Sequence, residues 1–201
     1  MKVSTNDHRA RVTQALIRKA FTDLMRQKPL ESITISELCK CAGINRSTFY
    51  NHYTDLYDLR SHIEDQLKKE FYDALMPLLS DDTLDQMPVK ITAKLFECIR
   101  ENADICQVIM GRYGDDQLLG EFVQFGRQFV MRSYRAYFGD ASPRQIEYFY
   151  TYISSGIIGL LRKWLSEELA IPPEEIAKMA EDMMIHGAGY LYNGRAGDLL
   201  E

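Results

Sequence analysis

Cysteine is scarce and unpatterned. The four thiols stand at positions 39, 41, 98 and 106 of 201 residues, with no CxxC and no HxxxH spacing, so neither a disulfide framework nor a metal site is expected. Cys39 and Cys41 fall two apart on a short helix, where side chains diverge, and reduced thiols in a cytoplasmic protein are the expectation. No apolar run approaches the ~20 residues that span a bilayer, so no membrane association is expected. Met1 to Arg11 is polar and charged, unlike a signal peptide. Strand-period alternation, internal repeats and low-complexity tracts are missing too, which leaves an all-α chain. There is no nucleophile motif, phosphate-cradling glycine loop or metal pair. His52, His62 and His186 are scattered, and Glu64 reads as surface charge. The expectation is a protein that is not an enzyme and needs no cofactor.

Charge is unevenly spread. The net charge of −5 looks wrong for a partner of nucleic acid until the chain is divided. Residues 1–60 carry ten Lys/Arg against six Asp/Glu, and residues 61–201 carry fourteen against twenty-three. A basic head on an acidic body is expected when only one end meets phosphate.

The head holds the stretch that organises the rest, ITISELCKCAGINRSTFYNHYTDLYDL, from Ile33 to Leu59. Thr34-Ile35-Ser36-Glu37 has the form of a capping box, with Thr34 as cap and Glu37 reaching back. Ile35, Leu38 and Cys39 follow at helical spacing, and Ala42-Gly43 ends the helix. Asn45 can cap a second short helix from Arg46 to about His52. Two short helices joined by a glycine turn form a helix-turn-helix, whose second helix enters the major groove of double-stranded DNA. Arg46 suits guanine; Ser47 and Thr48 can reach a base edge or a phosphate; Tyr50, Asn51 and His52 supply phosphate donors. Phe49 and Tyr53 share a face and dock this helix on the core. The plainer alternative is a helical hairpin with a solvated polar side.

These residues carry a resemblance. Thr34-Ile35-x-Glu-Leu, Ala42-Gly43-Ile44-Asn45-Arg46, Thr48-Phe49-Tyr50 and His52-Tyr53 resemble the signature of the tetracycline-repressor (TetR) family of bacterial regulators, without a gap from about Arg9 to Leu59. The resemblance implies a homodimer, a palindromic operator and a small-molecule effector. It also implies that Arg9 and Arg11 lie at the DNA end of the first helix. One departure stands out. The family's phosphate-gripping lysine is replaced here by Leu56.

The remaining chain reads as helices. The first spans about His8 to Gln27 with Val12, Leu16, Ala20 and Leu24 in a row. After the head (1–54) comes a body (55–201), and about nine helices are expected in all. Thr54 caps a long helix to about Leu79 with Leu59, Ile63, Leu67 and Phe71 along one edge, a lever between head and body. Ser80 to Pro88 is a loop. Helices follow over about Val89–Arg100, Ala103–Met110 and Asp115–Phe138. Ser142-Pro143-Arg144-Gln145 opens the next, to about Glu168, with a cap, proline at N1 and glutamine at N3. Ile146, Phe149, Ile153, Ile157, Leu160 and Trp164 bury one of its sides. A last helix begins at Pro173 and continues to about Tyr192, and the tail from Asn193 frays.

Two surfaces in the body are candidates. Arg112 and Tyr113, in a break between helices, together with Phe122 and Phe125, could contact an effector in a region rich in Phe, Tyr and Met. Aromatic stripes of this kind also serve as plain core. Tyr148, Tyr152, Ser155, Gly156 and Gly159, with Met183 and Gly187 of the last helix, form a second apolar side that could meet another subunit or pack within one. The functional expectation is a homodimeric repressor released by a small ligand. The alternative is a coactivator or partner-binding regulator working through protein contacts.

Overall fold

The computed structural model describes residues 5–79, 87–114, 116–137 and 141–187. Within them the chain is all helical. Nine α-helices occur among the described residues: α1 Thr5–Met25, α2 Ile35–Ala42, α3 Arg46–Tyr50, α4 Leu56–Leu79, α5 Met87–Glu101, α6 Ala103–Ile109, α7 Asp116–Tyr137, α8 Pro143–Ser166 and α9 Pro173–His186. A single 3-10 turn at Leu30–Ser32 lies between α1 and α2. None of these helices is long and apolar enough to cross a membrane. The N-terminal four residues, most of the expected loop after Leu79, and the end of the last expected helix with its tail lie outside the described residues.

The residues form two compact units. The first takes Met1–Lys69 and Asp104–Asp116; the second takes Glu70–Ala103 and Gln117–Glu201. The first unit therefore holds the helix-turn-helix segment, the opening turns of α4, and almost all of α6.

In the first unit, α1 presents Ile17, Ala20, Phe21, Leu24 and Met25 to the core, steps of three and four that bring side chains to one helix face. The row expected through Val12 and Leu16 is wrong in its first half, since both are nearly half exposed. An i, i+4 row drifts around the helix, and here the buried stripe starts one residue later, at Ile17. α2 is capped by Thr34, whose hydroxyl accepts from the Glu37 N–H at 3.2 Å. The reciprocal half of the expected box is replaced. The Glu37 carboxylate takes the Lys28 ammonium at 2.8 and 2.6 Å, tying the turn after α1 to α2. That hydrogen bond holds the Glu37 carboxyl below its ordinary value. Gly43 closes α2 at φ +67, in the left-handed region where glycine carries no steric cost.

α4 begins one residue later than Thr54 capping would place it. Asp55 Oδ1 accepts from the Asp58 N–H at 2.8 Å, and the Asp58 carboxylate takes the Thr54 N–H in return at 2.8 Å. Leu56, Leu59, Ile63, Leu67, Phe71 and Leu75 are buried along it, as the apolar edge required. Ile105, Cys106, Val108 and Ile109 of α6 are buried. Arg18 on α1 holds Asp104 with two parallel bonds of 2.9 Å.

In the second unit α5 packs along α9. Phe96 lies 5.3 Å from Trp164, centroid to centroid, both fully enclosed. The Trp164 indole N–H donates to the Ile171 carbonyl at 2.8 Å, so this ring's one polar atom is satisfied. α8 opens with the full capping box, Ser142 and Gln145 bonding to each other's backbone. Its buried side runs through Ile146, Tyr150, Leu161, Trp164 and Leu165. Phe149, Ile153, Ile157 and Leu160, expected deep in that face, are half-buried at its border. Tyr150 donates to the Val123 carbonyl at 2.6 Å, and Arg127 pairs with Glu147, so α7 and α8 are joined by polar as well as apolar contacts.

Candidate nucleic-acid interface

α3 is five residues long and too short to stand alone, so its position rests on two things. The first is its cap. Asn45 Oδ1 accepts the Thr48 N–H at 2.7 Å, the Ser47 hydroxyl at 2.7 Å and the Thr48 hydroxyl at 2.9 Å. The second is Phe49, which is fully buried, with Tyr53 centred 5.8 Å away and buried beside it. Tyr53 in turn meets the His62 ring of α4 at 5.6 Å. Burial, with the Asp58 charge adding to it, pushes the Tyr53 hydroxyl above its ordinary pKa and keeps it neutral. The two aromatic rings anchor α3, and its other side is left outward.

That outward side carries the residues the sequence pointed to. Arg46, Ser47, Tyr50 and Asn51 are exposed, Thr48 and His52 are half-buried, and Thr34 and Asn45 are exposed caps. Helix α3 ends before Asn51 and His52, which were expected on it; Asn51 is its C-cap and His52 lies in the turn beyond. Arg46 has no ion-pair partner among the described residues, so its five N–H donors are available. Arg9 and Arg11 are exposed on the opening turns of α1. Chemically this is a face of donors and hydroxyls with one strong cation at the start of the recognition helix. Removing the cap should be felt by the whole face. Asn45→Ala is expected to cost about 1 kcal/mol of stability, read as a lower denaturant midpoint with unchanged slope.

Leu56 has a clear structural role. It is 8% exposed and is the first buried residue of α4. The absence of a lysine here therefore does more than remove a cation, because the leucine is part of the buried core of the first unit. Leu56→Lys is expected to lower stability by about 1–2 kcal/mol, the amine reaching for water along its own stem. In the folded variant, DNA affinity should fall more steeply with salt, by about two units of log–log slope for a dimer. A variant with parental stability and parental slope would place this side chain away from both core and phosphate. Its neighbour Tyr57 was overlooked in the sequence, although it lies off the Leu56–Leu59–Ile63 row. It is 60% exposed and stands beside the face of α3 in sequence.

The matches to known proteins now bear on this geometry. Residues 86–186 match the family TetR_C_8, described as a transcriptional regulator C-terminal region. The chain belongs to the TetR family of transcriptional regulators. It is similar to an uncharacterised HTH-type transcriptional regulator, YxbF, of Bacillus subtilis (strain 168), at 25% identity over 86% of this chain and 44% of that one. Its head is similar to the dhaKLM operon transcriptional activator DhaS of Lactococcus lactis subsp. lactis (strain IL1403). That match is 40% identical over 26% of this chain and 28% of the relative. The chain thus spans less than half the length of these curated relatives. In fold it matches the transcriptional regulator FadR from Bacillus subtilis, solved in complex with stearoyl-CoA, at a TM-score of 0.65 and 11% identity. That likeness covers 86% of this chain and 98% of that one.

The other candidate residues are spread over both units. Phe122 packs on Phe71 at 5.0 Å and Phe125 on Tyr72 at 5.7 Å. Arg112 lies over the Tyr113 ring at 5.6 Å, but this pair belongs to the first unit. The four residues named as one effector set therefore divide between units. Tyr113 borders a crevice with Phe21, Met25, Arg60, Glu64 and Ile109, whose free volume of about 10 Å³ is room for no more than one water. Tyr148 and Tyr152 are 67% and 70% exposed, and Ser155, Gly156, Gly159, Met183 and Gly187 are exposed as well. A Cβ added at Gly156 or Gly159 would meet nothing within 4 Å. Among the described residues no His/Cys/Asp/Glu group could hold a metal.

Proposed function

We propose that this chain is a DNA-binding repressor of the TetR type, acting as a homodimer on a palindromic operator in the cytoplasm and released by a small ligand. The observation that carries the reading is α3 itself, anchored by Phe49 and Tyr53 and presenting Arg46, Ser47 and Tyr50 outward. A helix of five residues held this way is organised to present its outer side chains, and the positive balance of the head favours phosphate. The stripe of Tyr148, Tyr152, Ser155 and Gly159 on α8 supports self-association, because large exposed aromatics beside glycines suit a second helix at close range. Each dimer then offers two α3 helices related by a two-fold axis, which is why the operator is palindromic. The body's fold is shared with a regulator solved with stearoyl-CoA, so a long-chain acyl-CoA is the first effector to try.

The test is sedimentation of the purified protein, alone and with DNA fragments of its host genome, before and after adding stearoyl-CoA. Two chains per operator half-site pair, dispersed by the thioester, is the expected result. A monomeric protein removes the dimer from the reading. A complex indifferent to the thioester removes acyl-CoA as the effector and leaves DNA binding standing.

A further inference from the structure

The turn after α6, Gly111-Arg112-Tyr113-Gly114, belongs to the same unit as the helix-turn-helix segment. Close approach requires both glycines. A Cβ at Gly111 would sit 2.5 Å from the Gln107 carbonyl oxygen, and one at Gly114 would strike the Ile109 carbonyl. The Gly111 N–H donates to the Val108 carbonyl at 3.2 Å, and the Gly114 N–H to the Gly111 carbonyl at 3.1 Å. Folded back on the end of α6, the turn has a fixed course, and it carries one cation. The exposed Arg112 guanidinium lies over the Tyr113 ring at 5.6 Å and pairs with no carboxylate among the described residues. The ring steadies the cation and leaves its N–H donors open. Tyr113 fixes where that cation stands, because it lines one small crevice with Arg60 and Glu64 of α4. Those two pair with each other at 2.6 Å, so the charge of Arg60 is already offset. Arg60 is one turn beyond Leu56, about 6 Å along the helix axis. In the same turn of α4, His62 meets Tyr53, the ring that helps to anchor α3.

Resting on the DNA-binding reading above, we propose that Arg112 binds a phosphate of the DNA backbone beside the start of α4, where Leu56 supplies no cation. The turn after α6 thereby joins the nucleic-acid interface, and the charge missing from α4 is delivered from another element of the same unit. A guanidinium suits the task, since it stays charged and its fork donates two parallel bonds to phosphate oxygens. Such a contact strengthens binding to every sequence alike and distinguishes none. The competing role for Arg112 is to offset the carbonyl end of α6, which needs no DNA.

The experiment uses the full chain, as parent, Arg112→Gln and Arg112→Lys. Affinity is measured over a salt series for the best operator from a random duplex pool and for an unrelated duplex of equal length. Arg112→Gln is expected to lower the log–log salt slope by about two units for a dimer, and to weaken both duplexes in the same proportion. Arg112→Lys should keep the parental slope. Neutral methylphosphonates, placed one at a time along a half-site, should abolish the difference between parent and Arg112→Gln at one phosphate. A parental slope in Arg112→Gln overturns the contact, and a lowered denaturant midpoint beside it assigns the side chain to the end of α6. If no single methylphosphonate abolishes the difference, the charge acts only at a distance and the contact is overturned. A loss confined to the operator would make Arg112 a reader of bases and overturns the contact as well. A parent that binds neither duplex overturns the DNA-binding reading and the contact together.

Discussion

Arg46→Ala should weaken binding to the best operator by about 1–3 kcal/mol per half-site, roughly 5–150-fold, while leaving non-specific DNA much less affected. The side chain is exposed at the first position of α3 and has no carboxylate partner among the described residues. Nothing within the fold is lost when it is cut back, so the loss falls on what it touches outside. A guanidinium meets guanine O6 and N7 with two bonds at once, and that geometry makes the penalty specific to one base pair. The outcome to look for is a relaxed preference at a single position of each half-site, with equal thermal stability of variant and parent. An equal fall on every sequence would assign Arg46 to phosphate instead.

The second large effect is expected at Gly159. In the single chain this position is open, with nothing within 4 Å of an added Cβ. A small substitution should therefore be tolerated, and Gly159→Ala should stabilise an isolated subunit slightly, by removing glycine's freedom in the unfolded state. A large one should act only between subunits. Gly159→Trp is expected to raise the dimer dissociation constant by at least 100-fold, with helical content and the Trp164 environment kept. Sedimentation equilibrium over a range of concentrations checks this. A Gly159→Trp protein that stays dimeric would move the interface off the stripe of Tyr148, Tyr152 and Ser155. Loss of the dimer should also cost operator affinity, because two half-sites are then bound one at a time.

What was legible in the sequence was local, and what was missed was long-range. The caps at Thr34, Asn45 and Ser142 lie within three residues of their partners, and each is found where the spacing put it. The apolar edge of α4 repeats at every three or four residues and is buried as read. Glu37 misled because its partner Lys28 is nine residues away, across a turn, and a cation outcompetes a backbone N–H for a carboxylate. Val12 and Leu16 misled because an i, i+4 row alone cannot say which side of a helix meets the core. The bond from Arg18 to Asp104 spans eighty-six residues and has no sequence signature at all. Leu56 could be seen to lack a charge, but only packing reveals that it fills the core. At α3 the residue types pointed to DNA. That Asn45 gathers the Thr48 N–H and the Ser47 and Thr48 hydroxyls around one oxygen needed their positions in space.

The most direct test of the DNA-binding reading is selection from a pool of random duplexes, sequenced after several rounds with the purified full chain. The expected winner is a palindrome whose two halves repeat the same bases, with a guanine in each half that Arg46→Ala no longer distinguishes. A pool that remains random after selection, from a protein that is folded and dimeric, would contradict the reading of α3 as a recognition helix.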